Sequence, residues 1–150
     1  MSRVLEVTKS LGKEVLAVLL FGSYVYSPRR ARDIDVLVVV DRLRDVREKI
    51  DIELEIARRL RREVSRPIDI VVLDLDSFRE NLAAGSFLSG LVIGYRAVYD
   101  AVGVSEMLRE LFRELAEDSY VYVKRRRWNL SAIARARLRS RERSDDGGGL

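Results

Sequence analysis

Two stretches of the chain are apolar almost without interruption: Val15 to Phe21 reads VLAVLLF, and Ile34 to Val40 reads IDVLVVV. Each has the length and β-branched content of a strand and is too short for a core helix. Side chains alternate faces along a strand, so a strand that is apolar on both faces must be covered on both. Helical patterns alternate with these strands, so the expected class is mixed α and β, with a sheet flanked by helices. A third run, Ile68 to Leu73, follows Pro67, which ends the preceding helical region. Between the second and third runs, Leu43, Val46, Ile50, Leu54, Ala57, Leu60 and Val64 recur at intervals of three and four. This spacing predicts a long helix over 43–64 with one apolar stripe. The connection between the first two runs, about a dozen residues, carries no crossover helix, so a sheet of mixed strand direction is expected.

The remaining pattern is weaker. Residues 2–12 read as a short amphipathic helix ending near Gly12, and Tyr24 to Arg32 as a loop. Asp76 or Ser77 is expected to cap a short helix through Ala84, and Ser86 another through Val92. Arg96 to Tyr99 reads as an edge strand, and Ser105 as the cap of a helix with the stripe Leu108, Leu111, Phe112 and Leu115. Tyr120 to Val123 alternates like a strand, and a basic helix is expected from Ser131 to Arg141. The expected organisation is a single domain over 1–119, a basic extension over 120–143 and a disordered tail over 144–150.

Composition narrows the chemistry. The chain has neither cysteine nor histidine. That removes disulfides, thiolate zinc sites, cysteine nucleophiles, Ser-His-Asp triads and imidazole acid–base catalysis. A metal bound here must take oxygen ligands, which favours Mg2+, with Mn2+ as the alternative, over zinc. Residues 1–119 carry a net charge of −2 and residues 120–150 a net charge of +6. The basic excess makes 120–143 a candidate surface for nucleic acid such as RNA, or for an acidic partner. Within it, Lys124-Arg125-Arg126-Arg127-Trp128 fits a single-strand binder and equally a basic turn with Trp128 packed on the core. The sequence has no apolar run of membrane-spanning length, and its first ten residues lack an apolar h-region, so a cytoplasmic protein without membrane attachment is expected.

The chemistry concentrates in Arg32-Asp33-Ile34-Asp35. Residues two apart on a strand share a face, so Asp33 and Asp35 point the same way at the mouth of an apolar strand. Two carboxylates held that close repel, and a divalent cation relieves the repulsion. Asp69 repeats the design near the start of the third strand. If the two strands are neighbours, three carboxylates converge into an oxygen-ligand site of the kind that holds Mg2+ for phosphoryl chemistry. An aspartate at a strand start is unremarkable alone, because acids solvate strand ends. The added feature is Gly22-Ser23, directly after the first strand, where glycine permits a sharp turn and a close approach to a ligand. Backbone N–H groups there and the Ser23 hydroxyl are candidate phosphate donors.

An apolar strand, Gly-Ser, about ten residues, Asp-x-Asp, and a later strand with Asp together resemble the nucleotidyltransferase superfamily that includes DNA polymerase β. The stretch LLFGSYVYSPRRARDIDVLVVV is especially similar to the small prokaryotic members, the minimal nucleotidyltransferases, and PIDIVVLD extends the resemblance to about residue 74. The resemblance implies a nucleotidyltransferase-like mixed sheet flanked by helices and transfer of an NMP from an NTP, with ATP expected, to a hydroxyl on protein or RNA. It implies that Gly22 and Ser23 bind nucleotide. Asp33, Asp35 and Asp69 would be the catalytic, metal-binding residues. It also implies an antitoxin-like role beside a helical partner of the HEPN type. Where small members usually carry Ala-Arg-Gly after Gly-Ser-x, this chain has Val25-Tyr26-Ser27, and it supplies Arg29, Arg30 and Arg32 further along. A catalytically inactive module that binds protein, nucleotide or RNA is the alternative reading, and homo-oligomerisation stays open.

Overall fold

A computed structural model describes residues 2–82, 91, 94–115, 120–123 and 126–129. The chain divides into two compact units, one of residues 1–80 with 94–104 and one of residues 81–93 with 105–150. The first unit contains α1 (Ser2–Ser10), β1 (Val15–Phe21), α2 (Ser23–Tyr26), β2 (Ile34–Val40), α3 (Val46–Leu60), β3 (Ile68–Asp74), α4 (Leu75–Glu80) and β4 (Tyr95–Asp100). The strands form one sheet in the order β3-β2-β1-β4. β1 runs antiparallel to β2 and β4, and β2 runs parallel to β3, so the sheet is mixed as the short β1–β2 connection implied.

The two central strands are the two apolar runs, and every residue of β2 is buried. Ile34, Val36, Val38 and Val40 share a core with Val18 and Leu20 of β1, Val4 and Val7 of α1, and Ile52, Ile56 and Leu60 of α3. The opposite face carries Ala17 and Leu19 of β1, opposite Val39 and Leu37 of β2, all buried. Period-two alternation therefore separates the face packed by α1 and α3 from the face that begins with Asp35.

α3 departs from expectation in length and in rotation. It starts after Asp45, whose carboxylate accepts the Glu48 N–H at 2.8 Å, and it ends at Leu60. Its buried stripe is Ile52, Ile56 and Leu60, whereas Val46, Ile50 and Leu54 are 69%, 47% and 64% exposed. The helix offers two apolar stripes, and only one can face the sheet. The rotation adopted also lets Glu53 accept the Val72 N–H at 2.9 Å, which covers a polar group on edge strand β3. Lys49 pairs with the same carboxylate.

Other boundaries shift for local reasons. Residues 23–26, expected in part as loop, form the helical turn α2. The Asp74 carboxylate, rather than Asp76 or Ser77, receives the first-turn N–H of α4, from Ser77 at 2.8 Å. Asp100 accepts the N–H groups of Gly103 and Val104, so α5 (Val104–Leu115) begins one residue ahead of Ser105. In the second unit, Leu108, Leu111 and Phe112 of α5 are buried. β5 (Tyr120–Val123) pairs antiparallel with β6 (Arg126–Asn129), a strand within what reads in sequence as a basic run. The helices expected from Ser86 and Ser131, and the tail 144–150, lie outside the described residues.

Candidate metal and nucleotide site

The site grows from the start of two parallel strands. Ile34 pairs with Ile68 and Asp35 with Asp69, and the Ile34 N–H donates to the Pro67 carbonyl at 2.9 Å. In-register parallel pairing puts Asp35 and Asp69 on one face of the sheet, and Asp33, two residues before Asp35, joins them. Each of the three carboxylates offers an oxygen, and these oxygens lie within 4.8 Å of one another. Their environments differ: Asp35 is buried at 6% exposure, Asp33 is half-buried and Asp69 is exposed. The arrangement is thus a shelf with one buried inner carboxylate and an open outer one. The donor set consists of oxygen alone, so it suits a hard divalent cation and leaves coordination positions for water or phosphate.

Gly22 closes the inner side. Its φ of +75° is one that L side chains rarely adopt, and a Cβ placed on it would lie 2.4 Å from Asp35 Oδ2. The turn after β1 and the buried carboxylate are therefore in direct contact through a position only glycine can fill. β1–β2 pairing produces this approach, since Phe21 stands opposite Asp35. The Gly22 N–H donates to the Gly94 carbonyl at 3.1 Å, and the Gly22 carbonyl accepts from Val25 at 3.2 Å. Gly22 thus shapes the turn and does not offer its own N–H to a phosphate in this conformation. Ser23, half-buried, opens α2 directly beside it.

The following segment is ordered by a chain of local bonds. Ser27 N–H donates to the Ser23 carbonyl at 2.8 Å, and the N–H groups of Arg30 and Ala31 both donate to the Ser27 carbonyl. Tyr24 and Val25 pack against the core, Ala31 is buried, and Arg29, Arg30 and Arg32 are exposed. Sequence reasoning missed Arg66, whose guanidinium lies 5.5 Å from the centroid of the Tyr24 ring and donates to the Pro28 carbonyl. Only its place three residues before Asp69 could have marked it.

Asp74, at the far end of β3, belongs to a different structure. Burial pushes its carboxyl up. Hydrogen bonds from the Ser77 backbone and hydroxyl and from the Leu43 N–H outweigh this and hold it below the usual aspartate range. It ties the start of α4 to residue 43 and takes no part in the shelf.

The family model described as Polymerase beta, Nucleotidyltransferase matches residues 4–93. The chain belongs to this nucleotidyltransferase family. The matched span contains β1, the Gly22-Ser23 turn and all three aspartates. No curated protein matches the chain. Among solved structures, this nucleotidyltransferase-family chain is similar to a chain of a toxin–antitoxin crystal structure with AMP-PNP. The identity is 20%, over 75% of this chain and 90% of that one, with a TM-score of 0.47. It is also similar to a chain of the tri-AMPylated Shewanella oneidensis HEPN toxin in complex with MNT antitoxin. There the identity is 20%, over 75% of this chain and 87% of that one, with a TM-score of 0.45.

Proposed function

We propose that the chain is a Mg2+-dependent nucleotidyltransferase that moves an NMP from an NTP, ATP in the first instance, to a hydroxyl on a protein or RNA. The observation that carries this reading is the convergence of Asp33, Asp35 and Asp69 oxygens within 4.8 Å beside Gly22. Asp33, Asp35 and Asp69 would hold the ion. Such an ion would offset triphosphate charge and make the acceptor hydroxyl more acidic. Ser23 supplies a hydroxyl to the triphosphate, and Gly22 keeps that turn against Asp35. The acceptor oxygen bonds to the α-phosphorus as the bond to the β-phosphate oxygen breaks and pyrophosphate leaves. The chain has no histidine to take the acceptor proton, so Asp69, the exposed member of the triad, is the base in this reading.

The resemblance of residues 15–74 to the minimal nucleotidyltransferases supports a helical HEPN-type protein as acceptor and partner, with this chain as the antitoxin-like member. RNA contact through the basic residues 120–143 is a further part of the proposal. RNA retention that survives loss of residues 120–150 contradicts that part. Among the described residues no helix is long and apolar enough to cross a membrane.

A second reading, a nucleotidyltransferase fold that binds without catalysing, has two observations in its favour. Val25, the first residue of the stretch where small members carry Ala-Arg-Gly, packs against the core with its neighbour Tyr24, and the Gly22 N–H is engaged with Gly94. The two readings separate on transfer of label from α-labelled ATP to a HEPN-type protein or to tRNA. The catalytic reading expects Mg2+-dependent label on the acceptor, absent with Asp69→Asn. Nucleotide binding without any transfer to either acceptor favours the binding module.

A further inference from the structure

We propose that Arg66 is a positioning residue that tethers the Gly22-Ser23 turn to the strands bearing the aspartates, and so sets nucleotide affinity without touching the nucleotide. The proposal rests on the assignment of Ser23 to the triphosphate. α2 has four residues and no side-chain cap at its start. A single helical turn does not hold itself in water, because nucleation costs more than one turn returns. Ser23 therefore depends on contacts made by the residues after it.

Arg66 makes two such contacts, at both ends of the segment. Its guanidinium sits over the ring of Tyr24, the residue after Ser23, at 5.5 Å from the centroid. It also donates to the Pro28 carbonyl, where the arginine-rich loop begins. The other end of Arg66 is fixed. The next residue, Pro67, accepts the Ile34 N–H at 2.9 Å, and the following strand pairs in register with β2 through Asp35 and Asp69. One half-buried side chain thus bridges the element that would hold phosphate and the strand pair that would hold the ion. A planar guanidinium suits both tasks, stacking on a ring and donating in its own plane. Lysine retains the charge and a donor but loses the plane.

The test uses the full-length protein and three readouts: ATP affinity in Mg2+ by calorimetry, Mn2+ affinity without nucleotide, and the rate of tryptic cleavage after Arg29, Arg30 and Arg32. Arg66→Ala is expected to weaken ATP about tenfold, ~1.4 kcal/mol, to leave Mn2+ affinity within about twofold, and to accelerate loop cleavage. Arg66→Lys is expected between wild type and Arg66→Ala. Tyr24→Leu is expected to mimic Arg66→Ala and to add little to it in the double variant, because the two residues act as one unit. Tyr24→Phe, which keeps the ring, is expected to behave as wild type. Unchanged loop cleavage and ATP affinity in Arg66→Ala would overturn the tether. So would an equal loss of Mn2+ affinity, which signals general destabilisation. Failure of the wild type to bind ATP would instead overturn the assignment of Ser23, and loop cleavage would still decide whether Arg66 holds the turn.

Discussion

The acidic half and the turn half of the candidate site are held by different physics. Asp35 and Asp69 are placed by backbone pairing of β2 with β3, and their positions follow from register in a sheet whose central strand is buried along its whole length. Ser23 is placed by a four-residue helical turn, kept in position by Tyr24 and Val25 in the core and by Arg66 outside it. The first arrangement is collective and tolerates change at its surface. The second depends on a few individual contacts, and a single side chain can loosen it. Gly22 is where the halves meet, since its α-carbon faces the Asp35 carboxylate with no room for a methyl.

The largest effect is therefore expected at Gly22. Gly22→Ala forces a side chain into backbone of φ +75° and ψ −158°, a region open essentially to glycine alone, which costs ~1–3 kcal/mol, and adds a collision with Asp35 Oδ2 at 2.4 Å. It is expected to lower stability by at least ~2 kcal/mol and to abolish stabilisation by Mg2+, measured by denaturant unfolding with and without the ion. Gly12 and Gly103, with φ of +80° and +81° and no atom within 4 Å, serve as controls that suffer the backbone strain alone. Equal costs at all three glycines would break the link between turn and carboxylate.

Asp69→Asn comes next, because it separates binding from folding. Asp69 is exposed, so the substitution is expected to leave metal-free stability within ~0.5 kcal/mol of wild type, or to raise it by relieving repulsion within the triad. Wild-type protein in Mg2+ at about 100 times Kd gains ~2.7 kcal/mol, and the variant is expected to gain little. Ser23→Ala sharpens the other half: about tenfold weaker ATP, ~1.4 kcal/mol, with unchanged Mg2+ stabilisation in the absence of nucleotide.

The smallest effect lies outside the site and checks that acid sensitivity is not read as loss of metal. Hydrogen bonds from Lys13 and then Arg44 hold the Glu48 carboxyl down at about 2. A carboxylate whose folded pKa is depressed contributes fully above its unfolded value, here near 4.5, and the contribution disappears as pH falls toward about 2. Glu48→Gln is expected to flatten part of the stability loss over that window and to leave Mg2+ binding at neutral pH untouched.

The difference between the halves also explains what the sequence made legible. β1 and β2 were readable to the residue because each run is sharply bounded, β1 by Glu14 and Gly22 and β2 by Asp33 and Asp41. The common face of Asp33 and Asp35 followed from period-two alternation. That Asp69 joins them required β3 to lie beside β2, a pairing no local pattern encodes. The rotation of α3 was misread because Val46, Ile50 and Leu54 form a stripe as regular as Ile52, Ile56 and Leu60. The choice between the two stripes is made by the sheet and by Glu53 on Val72. Arg66 and the Gly22–Asp35 approach stayed hidden for the same reason: both join residues far apart in sequence.

The central claim is that the three aspartates and the Gly22-Ser23 turn form one metal-dependent nucleotide site. Calorimetric titration of ATP tests it most directly, with and without Mg2+, on the wild type and on the folded Asp33→Ala/Asp35→Ala variant. The wild type is expected to bind ATP in Mg2+ alone, and the variant not at all. Absence of Mg2+-dependent binding at millimolar ATP, or equal binding by the variant, would contradict it.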